Sequence, residues 1–430
     1  MTRHSIAGAL AAAVLIGACD SPQAVTPAPT GPYTISSTNP WAGSTVLIRS
    51  ADFSAHGHGA FVWLGTDSLP LTRVDDTTMS VTIPDTLGGE FAPQIVVDGI
   101  TFPLQPITVA GYVSYREYEP QLAWDIYAWP RTGPAVVMGG SATGLTFIDL
   151  DAGTVTTEDS IIDLHSIHGP GPTYRDSVFL LAPEGGSLEA WRPLPAAALV
   201  DTILPPLSCY CRQAMQLGPN ALYIGGGGRG WTVLTRTDST QPYTETLIPT
   251  GAVSETEGAY LSPTHDRATI TVDNSDGGIP VFNAPSGTLA YSVTELNRST
   301  GVDFSADGQL LALVGQAPGQ QFTGRVLLLN AASGAVLGDT STAKVVFGVA
   351  LDPVRPLLYV GEYRVDGLPS ILVIDCNTFH LLGKMSVPGT APACNTGCYK
   401  AVIALSSANA LYLVAAYNPP GTQAYRFTLP

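Results

Sequence analysis

Short apolar stretches preceded by polar turns recur through the C-terminal three quarters of the chain. Residues 305–314 read SADGQLLALV and residues 352–361 read DPVRPLLYVG, so a polar turn leads directly into an apolar strand in both copies. This turn-and-strand pattern repeats with a period of forty-odd residues, enough for one four-stranded sheet. Because one such sheet cannot bury both of its faces alone, the repeats predict the packed blades of a seven-bladed propeller. A β-sandwich or a solenoid is the alternative. Equivalent positions are 43, 43, 44, 43, 47 and 54 residues apart, from Val136 to Phe179, Phe179 to Leu222, Gly218 to Ser262, Ser262 to Ser305, Ser305 to Asp352, and Asp352 to Ser406.

Four predicted third strands have an apolar centre, and a short polar turn follows each of them. Glycine accepts positive φ, and Asn, Asp and Ser bond their own backbone, so these turn compositions suit tight connections. The strands cover residues 145–150, 279–283, 326–330 and 371–375, and the turns cover residues 151–153, 284–287, 331–334 and 376–378.

The two ends of the repeat region predict that it closes on itself. The last unit has strands at residues 401–405, 410–416 and 423–429, which is one short of four, whereas Tyr112–Tyr118 alternates like a strand before the first unit. We expect Tyr112–Tyr118 to be the outer strand of the last blade, because a strand borrowed from the other end removes a free edge. The predicted fold is therefore all-β, with the propeller over residues 111–430.

The repeats resemble the propeller family with YVTN-type, quinoprotein-like units. The nearest match to its signature is Leu-Tyr-Val-Gly at residues 358–361, and the resemblance covers about residues 112–430. It implies the fold much more strongly than any function.

A separate small β domain is predicted over residues 33–110. Its short strands, at residues 46–48, 61–64, 79–83 and 94–97, are separated by Gly, Asp and Pro turns, as in an immunoglobulin-like sandwich. The stretches NPWAGSTV at 39–46, ADF at 51–53 and VTIP at 81–84 resemble the IPT/TIG type of immunoglobulin-like domain, although Ser50 stands where that family usually has glycine. The resemblance implies a spacer or an adhesion module.

The N-terminus has the features of a lipoprotein signal. A short basic start and an apolar run from 6 to 16 predict a signal peptide over residues 1–18, because the run is too short to span a bilayer. The sequence Ile-Gly-Ala-Cys resembles the bacterial lipobox, which implies lipidation of Cys19. An ordinary secretory signal is the alternative. Residues 19–32, with four prolines, then form an extended tether. We expect an extracytoplasmic protein that is lipid-anchored to the envelope, in the periplasm or on the cell surface.

The amino-acid composition limits the kinds of partner that the protein is expected to bind. The net charge is −16, only 13% of the residues are charged, and no basic run occurs, so nucleic acid is not expected as a partner. We expect an envelope protein or a small polar ligand of unknown identity, and contact with the membrane only through the lipid.

Cysteine spacing suggests two disulfides. Cys394 and Cys398 close a small ring and suit an oxidising envelope, and Cys209 could pair with Cys211, although so tight a ring is strained. Cys376 is left over as a buried free thiol.

No metal or cofactor is expected from the histidines. A metal site needs several convergent ligands, and His165, His168 and His265 are spread over different blades. His56 and His58 are predicted to lie in a solvated loop.

The mouth of the central channel is the one place where chemistry is expected. Residues that open the inner strands converge there and could orient a small polar ligand, although a hydrated propeller funnel would look the same. The glycine-rich run at 225–230 is interpreted as a strand-to-strand loop rather than a phosphate cradle, because no helix pattern follows it. The candidate binding residues are Trp124, Asp125, Arg212, Arg298, Lys344 and Lys400.

Three functions follow from this interpretation. The favoured one is an anchored binding or scaffold protein without catalysis. The second is a lactonase-like hydrolase at the channel mouth, as in some propeller relatives, with its acid/base pair drawn from Glu255, Glu257, His165 and His168. The third is an accessory subunit of a redox system, whose partner would carry the cofactor.

Overall fold

The structure is a computed structural model, and most of the residues that it describes are in β-strands. Within the part of the chain that it describes there is one 3-10 turn, Ala51–Ser54, and no α-helix. No helix there is long and apolar enough to cross a membrane. The described residues are 27–119, 126–129, 135–141, 144–158, 171–172, 179–181, 188–192, 198–203, 213–218, 220–226, 230–248, 256–272, 277–284, 286–320, 323–363, 367–390, 400–407, 409–416 and 422–430.

The first part of the chain is a small immunoglobulin-like sandwich, as predicted. Two four-stranded antiparallel sheets, in the orders β1-β2-β6-β5 and β4-β3-β8-β9, are accompanied by the pair β10-β7. Alternate residues of β2, β3, β6 and β8 are buried between the sheets, because their apolar side chains follow a period of two. The strands are β1 Thr34–Ile35, β2 Thr45–Arg49, β3 Phe61–Leu64, β4 Asp67–Pro70, β5 Thr72–Arg73, β6 Thr78–Thr82, β7 Gly89–Phe91, β8 Gln94–Val97, β9 Ile100–Pro103 and β10 Ile107–Val109.

Seven four-stranded antiparallel sheets follow, and they are the blades of the predicted propeller. Blade one is β12 Ile126–Trp129, β13 Val136–Ser141, β14 Gly144–Asp149 and β15 Thr154–Glu158; blade two is β16 Gly171–Pro172, β17 Phe179–Leu181, β18 Leu188–Arg192 and β19 Ala198–Ile203. Blade three is β20 Gln213–Gly218, β21 Ala221–Gly226, β22 Gly230–Thr235 and β23 Thr244–Ile248; blade four is β24 Thr256–Leu261, β25 Arg267–Val272, β26 Ile279–Asn283 and β27 Thr288–Val293. Blade five is β28 Arg298–Phe304, β29 Leu310–Gln316, β30 Gly324–Asn330 and β31 Val336–Thr342; blade six is β32 Val346–Leu351, β33 Leu357–Tyr363, β34 Pro369–Asp375 and β35 Leu381–Ser386. Blade seven is β36 Lys400–Ser406, β37 Ala410–Ala416 and β38 Thr422–Thr428, with β11 Tyr112–Tyr118 as its outer strand.

The ring closes as predicted. β11 pairs antiparallel with β38, with Tyr115 opposite Tyr425 and Glu117 opposite Gln423. Blade seven then packs on blade one through a shared apolar core. Asp151 of blade one also accepts hydrogen bonds from Ser406 at 2.6 Å and from Tyr412 at 2.9 Å, so the junction is held by polar contacts as well.

The predicted tight turns after the third strands are present in the blades. Gly153, Gly287 and Gly334 have φ of +69°, +74° and +75°, which a residue with a side chain rarely adopts. In blade six the left-handed position is occupied by Phe379 with φ +55°, directly after the predicted turn at residues 376–378.

The sandwich is docked on the outer edge of blade six. The Lys384 amide donates to the Ala42 carbonyl at 2.9 Å, and the Ser386 amide donates to the Asp85 carbonyl at 2.6 Å. One continuous apolar core runs from the sandwich into blades six and seven. The outer strand of blade six is therefore covered, which protects an edge that could otherwise pair with another chain.

The close approach depends on a glycine. A Cβ atom on Gly383 would lie 2.5 Å from the Trp41 Cβ atom and 2.8 Å from the Ala42 carbonyl oxygen. Gly43, with φ +73°, lies opposite, where a Cβ atom would meet the Lys384 carbonyl oxygen at 2.9 Å.

The prediction of a solvated histidine loop is wrong for His56. His56 is buried, and its Nδ1 atom lies 2.6 Å from a carboxylate oxygen of Asp98. Asp98 lies 42 residues further along the chain, and the fold brings it to the loop that contains His56. The hydrogen bond between the two side chains stabilises the buried imidazole ring. His58 is exposed, as predicted.

Candidate functional site

The inner strands β12, β16, β20, β24, β28, β32 and β36 all begin on one face of the ring, which we call the upper face. Arg298 opens β28 and Lys400 opens β36, whereas Lys344 lies two residues before β32. The structure thus brings these three predicted binding residues to the upper face of blades five, six and seven.

The other predicted site residues give less information. Glu257 is the extra residue of a β-bulge between Thr256 and Gly258, and only its backbone is described. Eleven predicted site residues lie outside the described residues: Cys19, Trp124, Asp125, His165, His168, Cys209, Cys211, Arg212, Glu255, Cys394 and Cys398.

The inner strands approach closely just below the upper face. A Cβ atom on Gly301 would lie 3.0 Å from the Gly348 Cα atom, and one on Gly348 would lie 2.7 Å from the Ala401 carbonyl oxygen. Bulges recur at this level in β24, β28 and β32. In β28 the bulged residue Thr300 donates through its hydroxyl to the Val346 carbonyl at 2.7 Å. The bulge in β28 re-aims the strand end that carries Arg298, and the bulge in β32 re-aims the strand start that follows Lys344.

Beside this constriction lies a group that we call the lysine cluster: Lys344, Glu362, Ser370 and Lys384. Glu362 is the sixth residue of β33, and its side chain is only 5% exposed. Its Oε1 atom accepts a hydrogen bond from the Ser370 hydroxyl at 3.0 Å and pairs with the Lys384 ammonium group. The Lys344 ammonium group lies 3.7 Å from the same oxygen. Three segments of chain therefore converge on one buried carboxylate oxygen.

Lys384 connects the cluster to the docked sandwich. Its ammonium group contacts Glu362, while its backbone amide donates to Ala42 of the sandwich. The Lys344 and Lys384 side chains are each about a quarter exposed, whereas the carboxylate of Glu362 that they approach is buried.

Sequence reasoning named Lys344 but missed Glu362, Ser370 and Lys384. One signal was available: Leu358, Val360 and Glu362 share one face of β33, so a charged residue continues an apolar series. Such a position requires a buried partner. The identity of that partner depends on strand pairing across blade six, which the sequence pattern does not provide.

The other candidate residues give weaker support for a functional site than the lysine cluster does. Cys376 is a free, half-buried thiol in the turn after β34, which confirms that it is unpaired. Among the described residues no three His, Cys, Asp or Glu side chains are grouped so as to hold a metal ion. In the glycine-rich run at 225–230, β21 ends at Gly226 and β22 begins at Gly230, and residues 227–229 lie outside the described residues.

The fold is shared with many solved structures, 1024 chains in all. One is a chain of a crystal structure of a mitotic checkpoint complex, with a TM-score of 0.50 and 14% sequence identity over 74% of this chain and 94% of that chain. No protein-family model and no curated protein matches this chain. At this identity the likeness shows the fold alone, and it defines the class as a β-propeller. That fold is compatible with a binding or scaffold role.

Proposed function

We propose that the chain is an extracytoplasmic lipoprotein that acts as a binding scaffold through the upper face of its propeller. The observation that carries this proposal is the closed, seven-bladed ring with a sandwich docked on its edge. Such a ring presents a rigid surface without itself requiring a reactive group. The structural neighbour is part of a protein complex, which favours a protein partner.

The anchoring part of the proposal rests on the sequence. The lipobox-like Ile-Gly-Ala-Cys ending at Cys19 and the proline-rich stretch that follows support a lipid anchor and a tether. The resemblance of residues 39–84 to IPT/TIG domains supports a spacer role for the sandwich, with the domain boundary near residue 110. In the structure the end of this tether is fixed, because Asp52 accepts hydrogen bonds from the Thr30 and Gly31 amides at 2.7 Å each.

Metabolic labelling with an alkyne fatty acid tests the anchor. We expect the wild-type chain to be labelled in envelope fractions and Cys19→Ser to lose the label and leave the membrane. Cys376→Ser is the matched control and keeps the label. Labelling that survives Cys19→Ser would contradict the lipoprotein assignment.

Site-specific photo-crosslinking tests the scaffold role. A photoreactive residue at Arg298 on the upper face should give one saturable crosslinked protein in envelopes. The same residue at Val354, which is 89% exposed in the loop between β32 and β33, is the control on the opposite face and should not give it. Crosslinks from Val354 alone would overturn the assignment of the binding face.

A further inference from the structure

The two sheets of the sandwich differ in the side chains that they turn outward. In both sheets alternate residues of the central strands are buried against the other sheet, so the residues between them face away from it. In the sheet β1-β2-β6-β5, the exposed residues of β2 and β6 are Thr45, Arg49 and Thr82, as expected for a solvated face. The sheet β4-β3-β8-β9 instead turns Phe61 and Trp63 of β3 outward.

Strand pairing arranges the outward residues of this second sheet in two rows that cross all four strands. The first row has Trp63 between Ser68 and Gln94, and the second has Phe61 and Val96 beside Thr101, with a proline at one end of each row. We call these two rows the aromatic face. All of its positions lie within the described residues 27–119, and none carries a charged side chain, although the net charge of the chain is −16.

The two rings of the aromatic face form an accessible corner. Trp63 is 40% exposed, and its ring centroid lies 5.5 Å from that of Phe61, with the two ring planes at 83°. Neighbouring exposed apolar groups with polar residues around them mark interaction sites on a protein surface. Because rings at this angle cannot make one flat platform, the corner suits a single ring-shaped group better than a flat crystalline surface.

The polar side chains of the aromatic face are neutral. Ser68, Gln94 and Thr101 are exposed, and each can both donate and accept a hydrogen bond. Sugar hydroxyl groups have the same double capacity, and the negative face of an aromatic ring attracts the weakly positive C–H groups of a pyranose ring. A charged ligand would find no opposite charge in either row, so charge complementarity favours a neutral ligand.

We propose that the aromatic face binds a neutral polysaccharide chain, with one pyranose ring in the corner between Trp63 and Phe61 and with sugar hydroxyl groups bonded to Gln94 and Ser68. This binding site goes beyond the proposed scaffold role, which uses the upper face of the propeller. The described hydrogen bonds that dock the sandwich on blade six come from Ala42, before β2, and from the segment after β6. A lipid surface fits less well, because neither row has a lysine or arginine to meet anionic headgroups.

Calorimetric titration of the full chain, in a detergent without a sugar headgroup, tests the site. The probes are cellohexaose, maltohexaose, mannohexaose and chitohexaose. We expect Trp63→Ala to weaken binding by about 10-fold or more, because the stacked ring is lost, and Trp63→Tyr, which keeps a ring, to retain most of the affinity. Gln94→Ala should cost about 2- to 10-fold, for one lost hydrogen bond. Val74→Ala, at a residue 57% exposed beyond β5, is the control and should bind like the wild type.

Binding of at least one hexasaccharide that depends on Trp63 supports the proposal. Failure of all four to bind, or equal affinity of wild type and Trp63→Ala, overturns it. If Trp63→Ala does not fold, Gln94→Ala decides, because Gln94 lies in the same row and is exposed. Crosslinking from Arg298 examines the propeller, so failure of sugar binding leaves the scaffold role standing.

Two further measurements identify another occupant of the aromatic face. Sedimentation would detect self-association that is lost in Trp63→Ala, which would assign the face to a second copy of this chain. Flotation of Cys19→Ser with phosphatidylglycerol vesicles would detect membrane binding that does not need the lipid anchor. Either result, found without sugar binding, contradicts the proposal.

Discussion

Most buried polar side chains inside the blades are bonded to a partner. The buried Thr269 hydroxyl donates to the Pro280 carbonyl at 2.8 Å, and the Ser299 hydroxyl accepts from the Val272 amide at 3.0 Å. Tyr363 differs: its hydroxyl is buried between blades six and seven, and the described residues provide no hydrogen-bond partner for it. Burial raises the pKa of Tyr363 well above its ordinary value, because the charged form would lose its hydration.

Replacing Tyr363 with phenylalanine should leave the free energy of unfolding unchanged or raise it by about 1 kcal/mol, because an unpaired buried hydroxyl is removed. Tyr359→Phe is the matched control. The Tyr359 hydroxyl donates to Asp352 at 2.9 Å, so its loss should destabilise the protein by about 1–2 kcal/mol. Urea denaturation followed by circular dichroism measures both. A larger loss for Tyr363→Phe than for Tyr359→Phe would show that the Tyr363 hydroxyl is bonded.

Cys376 should react slowly at neutral pH. Burial, followed by the charges of Asp375 and Asp352, raises its pKa to about 11. The protonated thiol is therefore favoured by folding, and this contribution to stability is present below pH 8 and is lost as the pH rises through about 11. At pH 8 we expect alkylation about tenfold slower than in the denatured chain, since the smaller thiolate fraction outweighs its greater nucleophilicity.

Peptide-resolved mass spectrometry after iodoacetamide labelling measures this rate at Cys376 alone. Between pH 8 and pH 10 the rate should rise about tenfold per pH unit without levelling off. A plateau above pH 9 would mean an ordinary thiol pKa and an exposed side chain.

At the scale of elements, the main addition to the sequence prediction is the edge of β35. Its strand pairs with β34 on one side, and on the other its amides reach the sandwich at Ala42 and Asp85. The contact packs the partly buried Trp41 against the blade, where its ring meets that of Tyr359 edge-on at 6.5 Å. The sandwich and the propeller are thus joined by backbone hydrogen bonds and by a shared apolar core, in addition to the chain that connects them.

Gly383→Ala should loosen this contact. The new Cβ atom would lie 2.5 Å from the Trp41 Cβ atom, so the sandwich must shift. We expect a destabilisation of about 1–3 kcal/mol, as for other overpacked sites, and faster hydrogen exchange of the Lys384 and Ser386 amides. Gly389→Ala is the control, because no atom lies within 4 Å of its added Cβ. Equal exchange in the two variants would argue that the sandwich is not docked on β35.

At the scale of the whole molecule, the propeller was predictable because each blade repeats its own local pattern. Strand alternation and the missing fourth strand of the last unit were enough to assign β11 to blade seven. The docking of Gly383 against Trp41 was not predictable, because glycines far apart in sequence reveal a close approach only after folding. The lysine cluster and the His56–Asp98 pair were missed for a similar reason: each joins separate segments through polar side-chain contacts that no local periodicity encodes.

The central claim is that Tyr112–Tyr118 closes the ring by pairing with β38, and an engineered disulfide tests it most directly. Glu117 lies opposite Gln423, so Glu117→Cys with Gln423→Cys should crosslink on mild oxidation, since paired strands bring Cα atoms within the range that a disulfide requires. Ser114→Cys with Gln423→Cys is the control, because Ser114 pairs instead with Arg426, three residues along the strand. The account predicts a crosslink, seen by mass spectrometry of the joined peptides, in the first pair and none in the second. Absence of the Glu117–Gln423 crosslink, or equal crosslinking of both pairs, would contradict closure by this strand.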